Sequence, residues 1–173
     1  MVLAPDMAFA LGRLERTASA TQPLLHLGRD DLERSEGALL VADHVDWIHP
    51  PREPRDRAAI TFARALIVLS AGRAGTRRSR TSARAVLHAY DMLARANVDR
   101  GRRMLSRGRV VVTERLHGHI LCVLMSIPHV IVADRYGKLR AFHETWTRDA
   151  PGVRWADSLA DAQRAAQELA RGG

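Results

Sequence analysis

The sequence predicts an α/β domain built on a mainly parallel sheet, and three observations carry that prediction. Short apolar runs at residues 24–27, 110–112 and 129–133 have the length and the apolar, partly β-branched content of buried strands. Each run empties into a polar turn, at 28–33, 113–118 and 134–138. Between the last two runs, residues 120–125 are apolar on every side, as a helix buried in a core would be. Strand, polar turn, helix and strand make the repeating unit of a Rossmann-like three-layer domain. Open sheets of that kind bind ligands outside the carboxyl ends of their strands.

Taken in order, residues 2–10 read as the end of a strand and a turn around Pro5 and Asp6, with apolar residues 7–11 behind it. The strand at 24–27 follows Pro23 and leads into a polar loop, with Asp30 suited to cap a helix. A further small strand is expected over 38–43. Pro50, Pro51 and Pro54 suggest an extended linker, after which Asp56 caps a helix running to Ser70 with Ile60, Ala63, Leu66 and Ile67 on its apolar face. Residues 71–79, with two glycines and three arginines, read as a basic loop. The longest helix is expected over 82–106, where Val86, Leu87, Tyr90, Leu93, Ala94, Val98, Met104 and Leu105 recur at three- and four-residue steps, and Gly108 is a natural stop. His88 on it reads as a surface or structural residue.

The strand at 110–112 comes next. Thr113, Glu114, Arg115 and His117 arrive where it stops, and Gly118 precedes the buried helix. Ser126 and Pro128 end that helix, because a residue before proline is pushed out of the α region. Beyond the turn at 134–138, residues 139–146 read as a helix with Trp146 in the core, and 153–155 as an edge strand. Ser158 caps a final amphipathic helix to Arg171, with Leu159, Ala162, Ala166 and Leu169 inward.

Composition bounds the partners. The chain has 173 residues, enough for one domain with a good core, and 46% hydrophobic residues, which argues against wholesale disorder. Twenty-seven basic residues against 19 acidic ones give a net charge of +8, and Lys138 is the single lysine. Coding bias alone can produce so much arginine; the alternative is a surface suited to phosphates, nucleotides or acidic head groups. The arginines are scattered and no aromatic-interleaved basic stripe occurs, so nucleic acid is not expected. Cys122, the single cysteine, leaves no intrachain disulfide or cysteine-based metal site, and inside an apolar helix it reads as a buried thiol. No signal peptide is read at the amino end. No apolar run is long enough to span a bilayer, and a cytoplasmic protein is the default.

The segment 113–119, Thr-Glu-Arg-Leu-His-Gly-His, followed by Ile127-Pro128-His129-Val130 and by Tyr136-Gly137-Lys138, resembles the polysaccharide pyruvyl transferase family. That family carries T-D-R-L-H-G-H, G-x-P-H-V and N-S-Y-G-K in this order and spacing. Glu114 replaces the usual Asp, and Ala133-Asp134-Arg135 replaces Asp-Asn-Ser. Arg29, Asp31 and Glu33 are similar to the family's R-x-D-x-E segment, residues 44–47 to its D-W segment, and Phe142, Glu144, Thr145 and Trp146 to its G-F-x-E-T-W helix.

The resemblance implies transfer of a pyruvyl group from phosphoenolpyruvate to a sugar hydroxyl in exopolysaccharide or cell-surface glycan biosynthesis, with no cofactor beyond that donor. It implies that residues 1–173 form the C-terminal Rossmann-like domain of a two-domain, GT-B-like enzyme whose N-terminal partner domain is absent here. His117 and Arg115 are then the catalytic candidates, His117 as acid/base and Arg115 as an anion clamp. Arg29, Asp31, Glu33, Leu116, Gly118, Tyr136, Gly137 and Lys138 are the substrate-binding candidates, with Gly118 letting backbone approach the ligand. His119 reads as a hydrogen-bonded core histidine. His117 and His119 lack a third ligand, so no metal is expected. The acceptor would be a lipid- or nucleotide-linked glycan, met in the cytoplasm or at the inner face of the membrane. A homo-oligomer and a separate N-terminal half stay open as partners. A nucleotide-sugar glycosyltransferase-like domain and a non-catalytic module that binds an anion or a partner are the alternative readings.

Overall fold

The computed structural model describes residues 5–30, 39, 43–51, 53–72 and 80–172. Five strands form one sheet in the order β2-β1-β3-β4-β5, with β1 Gln22–Leu27, β2 Asp43–Val45, β3 Gly108–Thr113, β4 His129–Val132 and β5 Val153–Ala156. Every neighbouring pair is parallel, and Leu27 lies in register with both Val45 and Thr113. The expected parallel α/β architecture is therefore present.

Alternation along the strands decides what covers each face. Leu24, Val110, Val112, Val130, Val132 and Ala156 turn to one side and pack on Leu159, Ala162 and Ala166 of helix α5 (Leu159–Gly172). Ile131 and Val153 turn to the other side, against Leu139 and, at the cluster's edge, Leu116 and Val123 of helix α3 (Leu116–Leu124). Ser158 Oγ accepts the Asp161 N–H at 3.1 Å, the cap the sequence implied for α5. The amino-terminal segment is tied to the same body: a 3-10 turn spans Met7–Leu11, Leu14 N–H bonds Leu124 O, and Arg16 Nη1 donates to Ser106 O and Gly108 O.

By its contacts the chain divides into Met1–Asp46 with Arg102–Gly173, which holds the sheet, and Trp47–Gly101. The second unit contains helix α1 (Pro54–Gly72) and most of α2 (Arg80–Ser106). Arg100 there donates to the carbonyl oxygens of Trp47 and His49. No helix among the described residues is long and apolar enough to cross a membrane.

Several local expectations need correction. Helix α1 begins at Pro54, whose fixed φ suits a first helical position, so this proline belongs to the helix and Asp56 to its first turn. The described part of the second strand is 43–45, because pairing with Leu25–Leu27 draws His44 and Val45 into the sheet; positions 38 and 40–42 lie outside the described residues, as do 73–79 of the basic loop. On α2 the expected stripe is buried at Leu105, while Leu87 and Tyr90 are exposed on either side of buried Ala89. Gly108 is not a helix stop. It opens β3, and a Cβ there would sit 2.7 Å from Leu25 Cβ. Helix α3 starts at Leu116 rather than at 120. After helix α4 (Lys138–Phe142), a π-helical turn over His143–Thr147 shifts the helical phase, burying Thr147 and leaving Trp146 39% exposed rather than in the core.

Candidate functional site

In the order β2-β1-β3-β4-β5, the chain leaving β1 runs to one flank and the chain leaving β3 runs to the other. The two exits diverge at the carboxyl ends of β1 and β3, the topological switch point, where doubly wound sheets bind ligands in the crevice between the exits. Gly28, Arg29 and Asp30 leave β1 there, Asp46 follows β2, and Glu114 and Arg115 follow β3.

Arg115 is built into that point. Its N–H donates to Thr113 Oγ1 at 3.1 Å, which holds the turn, and its extended backbone precedes the first turn of α3. The side chain reaches back across the strand ends. Nη2 donates to Asp46 Oδ2 at 2.6 Å, and Nε donates to Gly28 O at 3.2 Å. The Asp46 carboxylate is fully buried and also accepts the Asp30 N–H at 3.0 Å. A planar guanidinium fixed by two such bonds keeps a defined direction, which suits it to an anion.

Beside it runs a chain of ionisable groups that sequence reasoning missed. Glu114 Oε1 is 2.9 Å from His26 Nε2, His26 Nδ1 is 3.1 Å from His44 Nδ1, and His44 Nε2 is 3.1 Å from Asp30 Oδ1. Glu114 and His26 are buried, whereas the side chains of His44 and Asp30 are 37% and 29% exposed, so the chain leads from the core toward the surface at the strand exits. Gly28 makes room for it: a Cβ there would lie 2.7 Å from His44 Cε1 and 2.8 Å from His26 Cε1. The signal available in the sequence was a histidine on each of two adjacent strands. Their pairing depends on the register His26↔His44, which no local pattern reveals.

The expected site residues divide among different surroundings. Arg29 is half-buried at the β1 exit beside Asp30, and Asp31 and Glu33 lie outside the described residues. His117 is well exposed, with Nε2 3.5 Å from Asp6 Oδ2. Arg115 and His117 therefore engage different carboxylates, Asp46 and Asp6, and share no partner among these contacts. Leu116 packs against the Ile131, Leu139 and Val153 cluster. Gly118 is buried, and a Cβ there would meet Leu27 Cδ2 at 2.6 Å and Thr113 Oγ1 at 2.7 Å. Its missing side chain lets α3 approach the strands, so the close approach is to the protein's own sheet. At the β4 exit, Gly137 adopts the left-handed conformation with φ +69°, and Lys138 Nζ sits 5.6 Å from the centre of the Tyr136 ring. Asp134 accepts the N–H groups of Lys138 and Leu139, so its carboxylate caps α4.

His119 belongs to the core, as expected. His129 Nδ1 can only donate to Ile127 O (2.7 Å), so its Nε2 is the acceptor for His119 Nδ1–H at 2.7 Å. His119 Nε2 in turn accepts from Thr147 Oγ1 at 2.9 Å, and Thr147 accepts from His143 Nδ1 at 3.0 Å. One carbonyl thus sets the tautomers of three neutral rings. Burial pushes His119 down to about 3 and His129 down to about 4, and lowers His143 as well. Cys122 is buried and its thiol is pushed up by desolvation. No group of three His, Cys, Asp or Glu side chains among the described residues is arranged to hold a metal ion.

Comparison with known families supplies the class. The family model described as polysaccharide pyruvyl transferase matches residues 1–136. The chain belongs to the polysaccharide pyruvyl transferase family. Within the match fall both strand exits that form the crevice, with Arg115, Leu116 and His117, while Gly137 and Lys138 lie just beyond it. The domain is similar to a putative pyruvyl transferase, EpsO, of Bacillus subtilis (strain 168), 29% identical over 154 residues that cover 88% of this chain and 45% of that protein. It is also 43% identical over 58 residues to pyruvyl transferase 1 of Schizosaccharomyces pombe (strain 972 / ATCC 24843), covering 33% of this chain and 14% of that protein. The chain thus spans less than half the length of the two pyruvyl transferases it matches here.

Proposed function

We propose that this domain binds phosphoenolpyruvate in the crevice between β1 and β3 and takes part in transferring its pyruvyl unit to sugar hydroxyls of an exopolysaccharide or cell-surface glycan. The observation that carries the proposal is Arg115, a guanidinium held at the switch point by Asp46 and Gly28 O. Phosphoenolpyruvate presents a phosphate and a carboxylate, both matched by guanidinium forks, and Arg29 stands at the adjacent strand exit. Lys138 and Tyr136 approach from the β4 exit. His117, exposed on the first turn of α3, is the group proposed to protonate the methylene carbon.

The relatives' greater length supports a second half that completes the cleft in a GT-B-like arrangement. The acceptor would then be a lipid- or nucleotide-linked glycan met at the inner face of the membrane.

Calorimetry with phosphoenolpyruvate tests the donor site. Wild type is expected to bind. Arg115→Lys keeps a charge for Asp46 but loses the fork, and is expected to weaken binding at least about tenfold, the equivalent of one charge-assisted hydrogen bond. Equal affinity in the two proteins, at matched thermal stability, overturns the assignment. Binding of a nucleotide sugar but not phosphoenolpyruvate moves the domain to the glycosyltransferase reading, and binding of neither to a non-catalytic module.

A further inference from the structure

We infer that Asp6, carried on the amino-terminal segment, is a positioning residue for His117: it holds the ring by Nε2–H and so makes Nδ1 the nitrogen that exchanges protons with substrate. The substrate rests on the donor reading above, and the pairing rests on geometry.

The two oxygens of the Asp6 carboxylate have different tasks. Oδ1 accepts the Ala8 N–H at 2.8 Å, capping the 3-10 turn Met7–Leu11, and Oδ2 lies 3.5 Å from His117 Nε2. That separation is slightly longer than a hydrogen bond, and a small rotation of the exposed ring closes it. An ionised carboxylate only accepts, so the ring nitrogen that faces it must carry a proton in the neutral and the charged ring alike. No described residue hydrogen-bonds Nδ1. A neutral ring held this way presents its lone pair there, and a charged one its second proton.

The segment that carries Asp6 is fixed at several points. Leu14 N–H donates to Leu124 O at the end of α3 and Asp6 meets His117 near its start, so the segment follows that helix in reverse. Arg16 donates to the carbonyl oxygens of Ser106, Gly108 and Arg109, and Thr17 N–H donates to Ser106 Oγ. The Phe9 ring stacks on Phe142 with centroids 6.2 Å apart. Gly12, at φ +68°, ends the 3-10 turn between these anchors. A carboxylate tied down in this way can hold an exposed ring in one tautomer and one orientation.

In the transfer proposed above, protonated His117 gives its Nδ1 proton to the methylene carbon. The C=C electron pair forms the new C–H bond and leaves the central carbon electron-poor. A sugar hydroxyl adds there, forming the C–O bond, and its proton passes to Nδ1 and restores the imidazolium. This addition consumes nothing beyond donor and acceptor. Throughout it Nε2–H stays on Asp6, which touches neither reactant and acts through the orientation of the ring.

Imidazole nitrogen NMR on histidine-labelled chain, in alkaline buffer where the ring is neutral, reads the tautomer; His117→Gln assigns the signals. Wild-type His117 is expected to carry its proton on Nε2. Asp6→Asn keeps the cap, because Ala8 N–H selects the amide oxygen and turns the NH2 group toward Nε2. The tautomer is then expected to reverse to Nδ1–H, as when an amide replaces the carboxylate that orients a catalytic imidazole. Asp6→Ser, which can cap the turn without reaching the ring, is expected to give a mixture of tautomers. Phosphoenolpyruvate is expected to shift the wild-type Nδ1 signal more than the Nε2 signal. A wild-type ring protonated on Nδ1, or one tautomer shared by wild type and both variants, overturns the pairing. Calorimetric binding of phosphoenolpyruvate that leaves Nδ1 unmoved overturns the role given to that nitrogen. If the wild type binds no phosphoenolpyruvate, the donor reading falls alone and the tautomer comparison still decides the pairing.

Discussion

Arg115 Nη2 and Asp46 Oδ2 meet at 2.6 Å across the carboxyl end of the sheet, joining residues 69 positions apart in the chain. The Asp46 side chain is wholly shielded from solvent, and only 14% of the Arg115 side chain is exposed. A pair in such surroundings is costly to break from one side, because the surviving charge stays desolvated.

Asp46→Ala is therefore expected to destabilise the domain by about 3–5 kcal/mol, the range for breaking a buried ion pair. Urea unfolding at neutral pH measures it. A loss below about 1 kcal/mol would mean that the pair behaves as a surface ion pair.

Gly118→Ala tests the packing of α3 on the strands. The added Cβ must displace Leu27 Cδ2 and Thr113 Oγ1, both closer than 3 Å to its position. Overpacking of this kind is expected to cost about 1–3 kcal/mol. Helices otherwise gain from Gly→Ala by roughly 1 kcal/mol, so an unchanged or raised melting temperature would show that the helix can simply shift outward.

Acid sensitivity follows from the core histidines. His119 and His129 titrate near 6.5 in the unfolded chain but are held down to about 3 and about 4 when folded. Below 6.5 the unfolded chain takes up protons that the folded one refuses, so stability is lost as pH falls through 6.5. The loss continues until the folded-state values are reached. Two such groups set a limiting slope on the order of 3 kcal/mol per pH unit. Urea midpoints measured between pH 7 and pH 5 should fall with that sign, and a flat profile would exclude two neutral buried rings.

Cys122 gives a chemical probe of the same core. A buried thiol with its acidity suppressed is expected to resist disulfide reagents in native buffer and to react fully once urea unfolds the chain. Rapid native labelling at neutral pH would contradict its burial beneath the sheet.

The strands at Leu24–Leu27 and Val110–Val112, the buried α3 and the capped α5 were legible because each is announced locally, by an apolar run, an all-apolar helix or Ser158 ahead of an amphipathic stripe. The position of Arg115 at a strand exit was legible in the same way. Its pairing with Asp46 was not, because the two residues are brought together only by the order of the strands, as Glu114 and His26 are. Trp146 illustrates a different limit. Read with helical periodicity it points inward, and one π-helical turn is enough to exchange it for Thr147.

Local chemistry in the sequence determined that this chain builds a parallel α/β sheet with polar turns at the strand exits, because strand length, helix periodicity and capping act over a few neighbouring residues. Tertiary structure alone decided which exits adjoin, and so which carboxylate faces which cation or imidazole. That choice depends on strand order and register: β1 lies between β2 and β3, bringing Gly28, Asp46 and Arg115 together at the strand exits, while the amino-terminal segment brings Asp6 to His117.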